Sequence, residues 1–242
     1  MNIKSIILII VIIVLLIILF RYIAKSGNTL SDLTDAKTMI TINSEDLDTS
    51  DTTASTSNFC YSIWFYIDDW NYRYGEPKVI FGRMSGFQEP CPSVVLGATQ
   101  NNLIISQEVY PGTDSEPTDD SSSSAVVHTC NVANVPLQKW VNLIMSAYGR
   151  SMDIYIDGKL VRTCVLPGVS KVDPDAKVIV TPMGGFSGYT STFQYWGNSC
   201  DPQKAWDIYK KGYGGSWLGF LGKYTIKVSL MEGDTEDGSI EV

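Results

Sequence analysis

The sequence predicts an antiparallel β-sandwich, and three observations carry that expectation. First, Trp140 to Cys164 reads as three apolar-alternating runs separated by two tight turns, Tyr148-Gly149-Arg150 and Asp157-Gly158. Asp-Gly between alternating segments is a strong hairpin signal, because both central residues of a type I′ turn need positive φ. Second, Met152, Ile154 and Ile156 share one face of the middle run while Asp153 and Tyr155 share the other, which commits one face to a core and fixes the register. Third, Phe59–Ile67 is a dense β-branched and aromatic run, followed by shorter ones at Lys78–Phe81, Ser93–Leu96 and Leu103–Ser106. The three central runs form a β-meander, expected at the centre of the sandwich.

Composition narrows the function. The net charge of −8, with no Lys/Arg cluster, excludes a nucleic-acid surface. A single histidine, His128, removes most histidine-based metal sites and a histidine-dependent triad. The five cysteines, Cys60, Cys91, Cys130, Cys164 and Cys200, have no CxxC spacing, so a structural zinc site is not expected. Cys130 and Cys164 would bridge if they lie on neighbouring strands; five buried thiols are the alternative. No Asn-x-Ser/Thr sequon occurs, which disfavours a glycosylating secretory route.

Taken in order, the chain opens with a membrane anchor at 1–25. Ile6–Phe20 is unbroken Ile, Val, Leu and Phe, rising roughly 22 Å as a helix against a hydrocarbon core of about 30 Å. Counting from Ile3 to Ala24, with Lys4 and Arg21 snorkelling, brings the length to a span. A cleaved signal peptide would need small residues at its cleavage site, and Phe20-Arg21-Tyr22-Ile23 supplies none. Lys4 before the span and Arg21 and Lys25 after it nearly balance the positive-inside rule.

Residues 26–57 are Ser/Thr/Asp-rich and read as a polar stalk, with Met39-Ile40-Thr41-Ile42 as a candidate first strand of the sandwich. The domain proper is expected over 58–242. Within it, Pro111–Ser124 (PGTDSEPTDDSSSS) lacks apolar periodicity and is expected to be a surface loop. Asn101-Asn102 has the composition of a hairpin turn. Asp201 as N-cap, Pro202 in the first turn and Gly212 as C-terminal stop punctuate a helix to Lys211. Lys210 and Lys211 suit its negative end, and Ala205 with Ile208 or Tyr209 would pack it on the sandwich edge. Tyr224, Ile226, Val228 and Leu230 alternate, and Ser239–Val242 is the expected hairpin partner.

Two blocks resemble a known family. The Trp140 to Val161 pattern, ending Tyr-Ile-Asp-Gly-Lys-Leu-Val, is similar to the concanavalin A-like (laminin G-like) jelly roll. So is Gly184-Gly185-Phe186-Ser187-Gly188 leading to Phe193-Gln194-Tyr195-Trp196 and a short helix. Together they cover roughly Cys60 to Gly212. The resemblance implies a jelly roll, a fold that hosts lectins, glycosidases, adhesion modules and structural proteins alike.

Catalysis is not expected. Glycosidases on this fold present paired carboxylates on one strand, and the one E-x-D-x-E, Glu232, Asp234 and Glu236, is interrupted by Gly233 and followed by Asp237-Gly238, so it reads as a charged turn. There is no nucleophile elbow or phosphate-binding loop. The candidate ligand site is Asp68, Asp69, Trp70, Tyr72 and Tyr74. If extended, the three aromatics would share a face suited to a sugar, and the two carboxylates could help ligate calcium, as laminin G-like domains sometimes do; packing of these rings on their own sandwich is the competing reading. The anchor, the polar segment, one such domain and the block Cys130-Asn131-Val132-Ala133-Asn134-Val135-Pro136-Leu137-Gln138-Lys139-Trp140 resemble internal-membrane or minor capsid proteins of large DNA viruses of algae and amoebae. That resemblance implies a membrane-anchored structural protein of a virus particle, docking on other virion or capsid proteins. A glycan-binding surface lectin is the alternative.

Overall fold

The structure is a computed structural model that describes residues 12–13, 15–16, 29–47, 57–86, 88–110, 126–214, 227–232 and 235–241. The anchor run is represented only by Ile12, Ile13, Leu15 and Leu16, which are helical; the rest of it and the acidic insertion 111–124 lie outside the described residues. Among the described residues, no helix is long and apolar enough to cross a membrane.

The fold is an all-β, antiparallel, two-sheet sandwich with one short helix. The chain runs through β1 (Thr29–Ser31), β2 (Thr34–Asp35), β3 (Ile40–Ile42), β4 (Phe59–Asp69), β5 (Lys78–Met84), β6 (Pro90–Leu96), β7 (Asn102–Val109) and β8 (Val126–Ala133). It continues through β9 (Trp140–Tyr148), β10 (Ser151–Ile156), β11 (Lys159–Val165), β12 (Val178–Val180), β13 (Ser187–Trp196), the helix α1 (Pro202–Lys211), β14 (Lys227–Glu232) and β15 (Thr235–Glu241). One sheet has the order β1-β13-β4-β9-β10-β11, with β2 also on β13; the other has β3-β12-β5-β6-β7-β8; β14 and β15 form a separate hairpin.

The period-2 alternation sets the core. Tyr61, Ile63, Phe65 and Ile67 of β4, Leu143 and Met145 of β9, and Met152 and Ile154 of β10 face Val94, Leu96, Leu103, Ile105, Val178 and Val180 of the opposite sheet. The Asp157-Gly158 turn forms as expected, with φ of +50° and +72°, and β10 pairs with both β9 and β11. The meander does not occupy the centre, however. It begins in mid-sheet at β9 and runs out to β11, which is the edge, because β4 and β13 fill the other half. The segment read as a polar stalk supplies three strands, β1 and β2 on β13 and β3 on β12; its hydroxyl-rich sequence suits short edge strands. The loop before β7 runs from Gly97 to Asn101, and neither Asn101 nor Asn102 has positive φ.

Two disulfides hold this arrangement. Cys130 of β8 and Cys164 of β11 join the edge strands of opposite sheets, with Cα atoms 6.3 Å apart. Cys60 and Cys200 form the second, which spacing alone did not indicate; Cys91 is a buried free thiol. Asp201 caps α1 by accepting from the Lys204 backbone N–H at 2.7 Å. The helix lies on the outer face of the seven-stranded sheet and reaches its β11 edge as expected, with Ala205 and Ile208 packing on Cys60, Ile144 and Tyr155. The Asp157-Gly158 turn passes beneath it: a Cβ on Gly158 would stand 2.9 Å from both Trp206 and Tyr209, so only glycine fits.

Candidate binding surface

The sequence-predicted site does not assemble as an extended aromatic face. β4 ends at Asp69, and the side chain of Asp69 accepts from the Asn71 backbone N–H at 2.9 Å, folding the chain into an Asx turn. The three aromatics then go separate ways. Trp70 packs against the core, with the Lys78 ammonium 4.6 Å from its ring centroid. Tyr72 donates to the Gly184 carbonyl at 3.1 Å, and Tyr74 points to solvent, 60% exposed. Arg73, at φ +52°, braces the corner by donating to the carbonyls of Met183 (2.6 Å) and Gly185 (3.3 Å) and pairing with Glu76 at 2.7 Å. Lys78 is buried and its ammonium has no hydrogen-bond partner; burial pushes its pKa down, Arg73 adds to this, and Glu76 and Asp69 oppose it. Among the described residues no three His, Cys, Asp or Glu side chains are grouped to hold a metal ion, so Asp68 and Asp69 are not joined by a third such ligand.

A different aromatic surface lies on the outer face of the seven-stranded sheet. Trp64 and Tyr66 project outward from β4 because the intervening Ile63, Phe65 and Ile67 point inward. Register places Tyr66 opposite Trp140 on β9 and Tyr189 on β13, giving ring centroids 5.8 and 6.5 Å apart. Tyr213, just beyond α1, stacks on Trp140 at 4.5 Å with 8° between planes and meets Trp64 edge-on at 6.0 Å. Tyr209 of α1 stacks on Trp64 at 5.6 Å and touches Trp206 at 5.4 Å. Seven rings thus form one unbroken row from Tyr189 to Trp206. Tyr189, Tyr213 and Trp206 are 47%, 42% and 39% exposed.

Polar groups fix this row. Around a bulge in β13, Ser191 and Thr192 both donate to the Tyr213 carbonyl, at 2.5 and 2.7 Å, which seats the Tyr213 ring. Asp157 accepts from the Asn142 backbone N–H at 3.0 Å and pairs with Lys139, the residue before Trp140, at 3.1 Å. Beneath the rings, Trp64 Nε1 and Asn142 Oδ1 are buried without hydrogen-bond partners on residues that are directly opposite in register. Sequence reasoning missed this surface, since its rings come from three strands, a helix and a post-helix turn. The available signal was outward alternation in β4 together with a helix whose apolar face carries both small and aromatic residues.

A second concavity, of about 290 Å³, opens between the edge strands β8 and β11. It has Val132, Val135 and Ile156 in its wall and Asn131, Asn134 and Arg162 among its polar residues.

No protein-family model matches the chain, and no curated protein does. The fold does match solved structures. The receptor-binding domain of the botulinum neurotoxin C/D mosaic serotype superposes with a TM-score of 0.53 at 11% identity, covering 76% of this chain and 45% of that one. Another structure of that domain, with tetraethylene glycol bound on its Hcn sub-domain, gives 0.51 at 11% identity, covering 76% and 47%. A structure titled HCR/D-Sa-GBL1/C gives 0.51 at 13% identity, covering 74% and 40%. The chain therefore spans less than half the length of the structures it resembles, and at these identities the likeness is one of fold alone, an antiparallel two-sheet β-sandwich.

Proposed function

We propose that this chain is a non-enzymatic recognition protein, tethered to a membrane by its N-terminal apolar run, whose jelly roll binds an extended glycan along the aromatic row. The observation that supports this reading is the row itself: seven connected rings on one sheet face, three of them substantially exposed. An aromatic face attracts the polarised C–H groups of a pyranose ring, and the adjacent Lys139–Asp157 pair supplies partners for hydroxyls. A sandwich of similar shape forms under half of the neurotoxin receptor-binding domain. The non-enzymatic reading rests on the absence of alternating carboxylates, since Glu232 and Glu236 fall on opposite strands of the terminal hairpin.

A second reading places the protein in the particle of a large DNA virus, docking on capsid proteins. It is favoured by the sequence organisation of anchor, polar segment, lectin-like domain and the 130–140 block. One experiment separates the two. The full chain in mild detergent is screened against polysaccharides, and purified particles are cross-linked. Under the glycan reading, at least one polysaccharide binds, Tyr213→Ala or Trp206→Ala weakens it about tenfold, consistent with about 1.4 kcal/mol for a lost ring contact, and Trp70→Ala leaves it unchanged. No glycan binding together with cross-links to capsid proteins would replace it with the docking reading.

A further inference from the structure

The outer edge of β11 is a long open edge of the sandwich. β1 and β3, which end the sheets on the other side, are three residues each. β8 ends its sheet beside β11, but the Arg162 side chain donates to its Asn131 carbonyl at 2.7 Å, so that edge is partly taken. β11 has seven residues, no strand pairs with its outer edge among the described residues, and Leu160, Val161 and Val165 are exposed along it. An apolar edge of this length templates pairing with another strand and is normally covered.

The same chain carries a strand pair in need of a sheet. β14 and β15 pair only with each other, and a two-stranded hairpin alone is at best marginally stable in water. β15 is also seven residues long and holds Glu236, Asp237 and Glu241, whereas β11 holds Lys159 and Arg162. An antiparallel alignment of the two sets Lys159 against Glu241 and Leu160 against Ile240. A parallel alignment would instead set Leu160 and Val161 against Glu236 and Asp237. Pairing of β11 with β11 of another copy is disfavoured, because the symmetric register puts Arg162 against Arg162, and like charges directly opposite destabilise.

We propose that β11 is completed by β15 of a second copy of this chain, adding the C-terminal hairpin to the seven-stranded sheet across the contact. The added strands supply main-chain hydrogen bonds to the open edge, and the opposite charges select the direction. Among the described residues the hairpin forms a sheet of its own and leaves the β11 edge unpaired within one chain. Reciprocal donation closes a two-fold dimer and moves the outer edge of that sheet from β11 to the donated β14.

The test uses full-length protein in mild detergent. Copies carrying Leu160→Cys are mixed with differently tagged copies carrying Ile240→Cys and oxidised gently. The expected product is a covalent dimer containing both tags, absent when Val127→Cys on the β8 edge replaces Leu160→Cys. Lys159→Glu should lower the yield about fivefold, and Glu241→Lys in the donating copy should restore it. No mixed dimer, an equal yield from the β8 edge, or a product formed only within single chains carrying both cysteines would overturn the proposal. Unchanged tryptophan emission of each variant establishes that the fold is intact.

Discussion

Removing the Cys60–Cys200 bridge is expected to cost more than removing any other single cross-link in the domain. It closes a separation of 140 residues, against 34 for Cys130–Cys164. In the chain-entropy picture those loops are worth about 5 and about 3.8 kcal/mol. The inner loop lies inside the outer one, which trims the outer value by only about 0.2 kcal/mol because closure entropy grows with the logarithm of length. The native state adds a local contribution. Cys200 immediately precedes the α1 cap, its backbone N–H donates to Ser146 Oγ at 2.8 Å, and that hydroxyl donates back to the Cys200 carbonyl at 3.1 Å. Cutting the bridge therefore loosens the helix that carries two rings of the aromatic row. The variant is Cys60→Ala with Cys200→Ala, since both sulfurs are buried and a serine would bury an unpaired hydroxyl. Thermal unfolding followed by tryptophan fluorescence should show a loss of about 10–20 °C, and hydrogen exchange in 202–211 should accelerate. A smaller loss than that of the Cys130→Ala, Cys164→Ala variant would refute the reasoning.

Two further outcomes follow from buried charges. Lys78→Met is expected to be neutral or to stabilise by up to about 2 kcal/mol in urea titration, because the ammonium is buried against the Trp70 face without a hydrogen-bond partner; a loss above about 2 kcal/mol would mean that its contacts are worth more than the desolvation. At alkaline pH the domain should lose stability. Burial raises the pKa of Tyr61, against the lowering influence of Arg83, and does the same for Tyr195; the hydrogen bond to Glu108 raises that of Lys171. Each group keeps its proton longer folded than unfolded, so above about pH 10 the unfolded chain binds fewer protons and stability falls as pH rises. Tyr61→Phe should flatten that fall, as measured by urea midpoints from pH 9 to 11.5, and an unchanged slope would remove Tyr61 from the account.

Local chemistry made much of the fold legible. Asp157-Gly158 specified its turn through two positive φ values, Asp201 and Gly212 bounded the helix, and alternation in β4, β9 and β10 identified the inward residues. What the sequence hid depends on which face is covered twice. Cys60, Ile144 and Tyr155 are apolar outward residues of three different strands, and only a helix laid across them explains why. β1 was hidden for the opposite reason: Thr-Leu-Ser is only three residues long and carries no periodic signal, although Leu30 reaches the core and Thr29 accepts from Gln194. The Trp70 to Tyr74 cluster misled because its alternation assumes an extended backbone, while Asp69 and Asn71 mark an Asx turn that ends the strand.

The placement of α1 connects these findings to the surface on which function is proposed. One half of the outer sheet face is sealed by Ala205, Ile208 and the Cys60–Cys200 bridge. The other half is finished by rings, with Tyr209 and Tyr213 reaching from the helix and its exit onto Trp64 and Trp140. Covering the row fully would have required a longer helix, yet Gly212, at φ +76°, stops it after Lys211 and turns Tyr213 down onto the sheet. The exposed face of Tyr213 is therefore a consequence of where the helix ends. Extending the helix is the converse perturbation. Gly212→Ala would oppose the positive φ at a cost of about 1 kcal/mol, favour another helical turn, and lift Tyr213 away from Ser191 and Thr192.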